Sequence, residues 1–253
     1  MSIYVSGLLW VAGMACLAAG VAYLIRRIGA TEGTVENNEA AGQVFTLVGG
    51  LQAVLIAFVL ISLFDGASAA EDGSYTEADG LVAAVWAADS LPTETREEIA
   101  GQARVYASTV IDDEWPRMRE GLPVGDRGWQ ELAELRQLVG TAPASDEWSI
   151  DQKSEASEQL WSAYQARQER LNTATSGGVN SVVWFALVAG AIMSLALPLL
   201  FGGPRPLTHI LIVSTLAATM TLLLFATQQL QNPYSGGAEV EPAAFQSALD
   251  RLR

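Results

Sequence analysis

The sequence predicts an all-α polytopic membrane protein with four transmembrane helices and a helical soluble insert between the second and third. Three observations predict it. Apolar runs at 3–25, 41–64, 179–201 and 207–230 are each long enough to cross a hydrocarbon core of about 30 Å as a helix. Half of the 253 residues are hydrophobic, yet the formal net charge is −14, so the charges are segregated rather than interspersed. Residues 65–178 alone hold about 22 acidic and nine basic residues and no run that could span a bilayer. No alternating strand pattern competes with the helical periods.

The first run, 3–25, has no basic residue before it and leads straight into Arg26 and Arg27. It is too long for a signal-peptide core and reads as a retained span. Ala12, Cys16 and Gly20 form a small-xxx-small ridge suited to close helix approach in lipid. Tyr4, Trp10 and Tyr23 are placed as interfacial anchors.

The second run, 41–64, is uncharged and two-faced. Gln43, Thr46, Gly50, Ala53 and Ala57 recur at three- and four-residue steps, giving one small, polar side. Val44, Phe45, Leu51, Leu55, Phe58 and Ile61 cover much of the rest. The small stripe suits helix packing as well as pore lining, and both readings stand on sequence alone.

Within the insert, 65–178, three helices are expected. Ile99, Ala103, Tyr106 and Val110 share a face continued by Ile111 and Trp115, after a start at Leu91-Pro92-Thr93 with Glu94, Glu97 and Glu98. Trp129, Leu132, Leu135 and Leu138 make a second helix ending at Gly140. A third runs from Asp146 to about Leu171, capped by Ser145, with Leu160, Tyr164 and Leu171 on one side and Trp161 beside them. Gly177-Gly178 is the exit.

Spans three and four, within 179–231, are joined by a Gly202-Gly203-Pro204-Arg205-Pro206 turn. Ala186, Gly190 and Ser194 repeat the small-residue spacing. Thr208, Thr215 and Thr219, with Ser214 and Thr221 alongside, can bond the preceding turn's carbonyls or line a pore. The tail, 232–253, turns at Asn232-Pro233-Tyr234-Ser235-Gly236. It ends in a short helix opened by Glu241-Pro242, with Phe245, Leu249 and Leu252 on one face.

With four spans, both termini and the insert share a side. Arg26, Arg27 and Arg205 sit in the two short loops, which assigns those loops to the cytoplasm and the acidic insert and both termini to the extracytoplasmic side of the cell membrane.

The chemistry-bearing residues exclude several classes. One histidine, His209, and one cysteine, Cys16, cannot furnish a His/Cys metal site or a Cys–His pair, and no internal disulfide can form. No phosphate-cradling glycine loop occurs, and the chain is too acidic for nucleic acid. No enzymatic activity and no cofactor are expected. The dense acidic cluster Asp112-Asp113-Glu114 reads either as a solvated helix end or as a weak cation or domain-contact site; consecutive helical residues diverge, so it makes no metal cage unaided. The spans lack Asp, Glu, Lys and Arg at depth, which disfavours proton-coupled pumping and leaves passive conduction open.

Three pieces of the chain carry a family likeness: 53–58 (AVLIAF), 110–116 (VIDDEWP) and 232–236 (NPYSG), the last followed by Val240, Pro242 and Phe245. With the two-plus-two layout they resemble the bacterial DUF4239, or bestrophin-like, membrane proteins. Where an aromatic commonly precedes the first piece this chain has Gln52, and a Phe64-Asp65 junction replaces the tryptophan that often closes that span. The resemblance implies a remote likeness to bestrophins, which are pentameric anion channels with a cytosolic helical insert.

The expected function is therefore a homo-oligomeric, channel-like protein in the lipid bilayer, conducting small ions along a pore lined by Gln43, Thr46, Gly50, Ala53 and Ala57. The acidic insert would concentrate cations at its mouth, whereas the resemblance implies anions. The competing reading is a non-conducting scaffold or sensor whose acidic domain binds a partner or cations. An enzyme using the Asp112–Glu114 carboxylates ranks last.

Overall fold

A computed structural model describes residues 2–28, 38–176, 178–199, 206–237 and 239–253. Among these the regular structure is entirely helical: α1 (Ile3–Ile28), α2 (Asn38–Ala87), α3 (Thr93–Thr109), α4 (Trp115–Arg119), α5 (Arg127–Thr141), α6 (Glu147–Ser176), α7 (Ser181–Leu199), α8 (Pro206–Gln229) and α9 (Ala243–Arg251). A short 3-10 turn, Ala88–Ser90, follows α2, and a π-helical turn, Val110–Glu114, joins α3 to α4. The chain divides into two compact units: Met1–Phe64 with Gly178–Gln231, and Asp65–Gly177 with Asn232–Arg253.

The first unit is apolar. Among the described residues, four helical stretches are long and apolar enough to cross a membrane: Ile3–Ile25, Gly42–Ser90, Ser181–Leu199 and Leu207–Gln229. Its core brings Ile56, Val59 and Leu63 of α2 against Leu187 and Ala191 of α7 and Met220 of α8. α1 packs along α8. Its covered face runs through Gly7 and Ala22, and a Cβ on Gly7 would strike the Phe225 ring. The Ala12–Cys16–Gly20 ridge lies elsewhere, exposed on the protomer, so it is not the surface that α1 uses within the chain. Asn180 starts α7 by accepting the Val182 and Val183 amides on Oδ1, at 2.9 and 3.1 Å. Gly178, at φ 97, leaves room for Gln231, whose Oε1 accepts the Val179 amide at 2.8 Å.

Hydroxyls on α8 satisfy themselves locally. Ser214 donates to Ile210 O at 2.7 Å, Thr219 to Thr215 O at 3.0 Å and Thr221 to Ala217 O at 2.8 Å. The turn at 202–205, Arg205 included, lies outside the described residues, as do Gly177 and most of the 26–40 connector.

The second unit gathers the distal part of α2, α3 to α6 and α9 around one core that includes Leu81, Ile99, Tyr106, Trp115, Leu135, Leu160, Tyr234 and Phe245. The two units divide at Phe64, where the sequence places its boundary, but the helix does not end there: α2 runs on without a break to Ala87. A change from apolar to polar residues does not end a helix: 65–86 holds no proline, and Gly66, Gly73 and Gly80 stay within α2 without the positive φ of a C-cap. Instead the period continues, with Ala70, Ser74, Ala78, Leu81, Val82 and Val85 buried.

Two further details depart from expectation. α6 is capped by Asp146, not Ser145: its Oδ1 accepts the Ser149 amide at 3.0 Å, and Ser149 Oγ returns a bond to the Asp146 carboxylate. The inward face of α6 is Ala156, Leu160, Ala163, Arg167 and Arg170, while Trp161 and Tyr164 are exposed. α5 ends at Thr141, one residue beyond Gly140.

Candidate functional site

At about 100° per residue, Gln43, Thr46, Gly50, Ala53 and Ala57 fall within an arc of roughly 80° on α2. All five are exposed on the protomer. The buried arc of the same helix is Gln52, Ile56, Val59 and Leu63, centred roughly 130° away. Between the two directions on the far side stand the bulky exposed Leu47, Leu51, Val54 and Phe58. The apolar part of α2 therefore presents three surfaces: a packed face, a bulky apolar face and a small, mildly polar flank. Leu55, expected among the bulky outer residues, is partly buried against the packed face. The flank's hydroxyl is locally satisfied, since Thr46 Oγ1 donates to Gly42 O at 2.9 Å.

Gln52 is the polar member of the packed face, only 4% exposed. Its Nε2 donates to Leu187 O of α7 at 2.9 Å, and its side chain lies where a Cβ on Gly190 would be. The Gly190 spacing seen in the sequence thus serves packing between α2 and α7 inside the protomer. Ser194, one turn on, is fully buried, and its Oγ has no hydrogen-bond partner among the described residues.

In the second unit, five side chains from four elements form a buried polar network. Arg170 of α6 grips Glu77 of α2 with two bonds, Nε to Oε2 at 2.7 Å and Nη2 to Oε1 at 3.0 Å. Arg167, one turn earlier, grips Glu114 likewise, Nη1 to Oε2 at 2.8 Å and Nη2 to Oε1 at 2.6 Å. Arg170 Nη2 also reaches Glu114 Oε2 at 2.9 Å, so the two ion pairs are joined. Tyr106 of α3 donates its hydroxyl to Glu77 and accepts from Arg167 at 3.1 Å. Two carboxylates and two guanidinia cancel, which is the condition for burying them.

Burial alone would raise the Glu114 carboxyl; hydrogen bonds from Arg167 and the charges of both arginines outweigh it and hold the group below its ordinary range. Desolvation, then the charge of Glu77, pushes the Tyr106 phenol well up, so it stays a donor. Aromatic rings wall the network. Arg167 lies 4.5 Å over the Trp129 centroid, and Arg170 lies 5.7 and 5.6 Å over Trp115 and Phe245. Gly128 is obligatory beside it, because a Cβ there would strike Glu114 and Arg167.

The cluster Asp112-Asp113-Glu114 does not converge. Glu114 turns inward to the arginines, Asp113 pairs with Arg117 at 3.0 Å on the surface, and Asp112 is exposed. Among the described residues no group of acidic, histidine and cysteine side chains is arranged to hold a metal ion. The three carboxylates of the weak metal expectation are thus not brought together: residues in successive helical positions point apart, and the arginines take the one carboxylate that is buried. Glu77, Arg167 and Arg170 were not singled out in the sequence; their signal was charge at core-facing helical positions.

Two of the three quoted sequence pieces, 110–116 and 232–236, meet here. Trp115 Nε1 donates to Val240 O at 3.0 Å, and its ring packs edge-on against Tyr234 and Phe245 at 5.4 and 6.0 Å. Asn232 Nδ2 donates to Met118 O at 2.9 Å, while its Oδ1 accepts the Tyr234 amide. Tyr234 is buried, and burial pushes its phenol up.

A family model described as a Bestrophin-like domain matches residues 12–245. A structure of a bacterial bestrophin homologue from Klebsiella pneumoniae, phased on zinc, aligns with a TM-score of 0.71 at 14% identity, covering 99% of this chain and 97% of that one. Two structures of such a homologue from the same organism, each with one mutation, align at 0.70 and 0.71 with 15% and 14% identity. Both cover 100% of this chain, and 98% and 99% of theirs. At these identities the likeness is one of fold. No curated protein sequence matches the chain. With the family model covering most of its length and four apolar helices of spanning length, this chain is a membrane protein of the Bestrophin-like family.

Proposed function

We propose that the protein is a homo-oligomeric ion channel whose α2 flank, Gln43, Thr46, Gly50, Ala53 and Ala57, lines a shared axial pore. The observation that carries this is the flank itself. It is exposed on the protomer, small and uncharged, and set apart from both the packed face and the bulky apolar face. Four helices leave little room for an aqueous path inside one protomer, so the pore needs several copies. Membership of the Bestrophin-like family supports the same reading. Gln43, Thr46 and Gly50 supply the polar wall; Ala53 and Ala57 continue it into an apolar constriction that can gate by dewetting.

The excess of acid in residues 65–178 favours cations at the mouth, an effect that salt screens. Single-particle imaging of the detergent-solubilised chain tests the assembly. A ring with a solvent path beside α2 supports conduction, and a strictly monomeric particle removes it.

Four membrane spans, with the second unit and both termini extracytoplasmic, complete the proposal, motivated by Arg26, Arg27 and Arg205 in the short loops. The test starts from Cys16→Ser, with Ser154→Cys or Glu36→Cys added singly, and labels intact cells with an impermeant maleimide. Labelling at 154 and not at 36 is expected; the reverse pattern overturns the orientation.

A further inference from the structure

On the surface of the second unit, α5 and α6 enclose a pocket of about 310 Å³. Trp129, Leu132 and Arg136 wall it from α5, and Leu160, Trp161 and Tyr164 from α6. Its size is that of a small-molecule site. The rings are arranged to receive another flat group. Trp161 and Tyr164 stack with centroids 5.1 Å apart and planes 6° from parallel, and Tyr164 meets Trp129 at 5.1 Å and 55°. Trp161 and Tyr164 are nevertheless 55% and 40% exposed, a large aromatic surface left in water.

The inner wall is fixed from behind. Arg167 holds the Trp129 ring at 4.5 Å while itself clamped on Glu114, so binding need not order that ring. Charge then narrows the ligand class. The chain carries −14, yet no carboxylate lines this pocket. Arg136, its one ionised residue, makes no ion pair or hydrogen bond among the described residues. An unpaired guanidinium is a fork for a carboxylate.

We propose that this pocket binds a small planar aromatic carboxylate, its ring packed against the exposed side of the Trp161–Tyr164 stack and its carboxylate on Arg136. The site lies wholly within the second unit and does not depend on conduction. Isothermal titration calorimetry on the full chain in detergent tests it with indole-3-acetate. Indole-3-ethanol serves as the neutral ring and acetate as the ringless anion.

Saturable binding of indole-3-acetate is expected, at least roughly tenfold tighter than either control. Arg136→Gln should weaken it by about tenfold or more while leaving indole-3-ethanol unchanged, and Trp161→Ala should weaken both ring compounds. Both positions are exposed, and an unchanged thermal midpoint certifies the fold. Absence of saturable heat, or equal affinity in wild type and Arg136→Gln, overturns the proposal. So does a change of subunit number in native mass spectrometry of either variant, since the face would then be a contact between copies.

Discussion

Gln52 occupies the space that a side chain on Gly190 would need. The two residues are a matched pair across α2 and α7, with the Gln52 amide bonded to Leu187 O at 2.9 Å. In a helix, alanine is normally favoured over glycine by about 1 kcal/mol. Here Gly190→Ala should instead destabilise, because Gln52 must turn away and leave its bond unmade, at a cost of about 1–3 kcal/mol. Thermal unfolding in detergent measures it. The double variant Gln52→Ala/Gly190→Ala should cost less than the sum of the singles. Additive effects would show that the pair is not coupled.

Glu114 is the junction of the buried network, bonded to Arg167 and Arg170 together. Glu114→Gln should destabilise by about 3–5 kcal/mol, since it leaves a buried positive charge uncompensated. The pH dependence has a definite sign. Because the folded carboxyl titrates below its ordinary value, the folded state holds fewer protons than the unfolded state in that window. The stabilisation is therefore present above the unfolded value of about 4.3 and is lost as pH falls through the folded one. Unfolding followed from pH 7 downward should show this acid limb in wild type and a shallower one in Glu114→Gln. Identical limbs would remove Glu114 from the titration.

Trp115→Phe keeps a ring against Tyr234 and Phe245 but removes the bond from Nε1 to Val240 O. With that carbonyl left unpaired, a loss of about 1–3 kcal/mol is expected. Proteolysis should then nick the tail around residues 235–240 sooner than in wild type. Unchanged protection would mean that other contacts hold the tail.

Periodicity made much of this legible. Ile99, Ala103, Tyr106 and Val110 are inward as their spacing dictates, and Phe245 and Leu252 seat the tail helix. The length of α2 was hidden because Asp65 changes polarity without supplying a helix stop. The inner face of α6 was hidden for a different reason. Arg167 and Arg170 belong in a core only because Glu114 and Glu77, distant by 53 and 93 residues, neutralise them there. A local pattern rates such residues as solvent-facing, and so it grouped Tyr164 with Leu160 and Leu171 instead. The stripe on α2 was visible as spacing, and the structure adds that it is exposed rather than packed within the protomer.

Conduction through the α2 flank is the central claim, and current across a planar bilayer under a KCl gradient is its most direct test. The purified wild type should carry current with a reversal potential on the potassium side. Ala57→Ser should ease wetting of the constriction and raise open probability without changing that sign. No current from either protein, with reconstitution confirmed, would contradict the account.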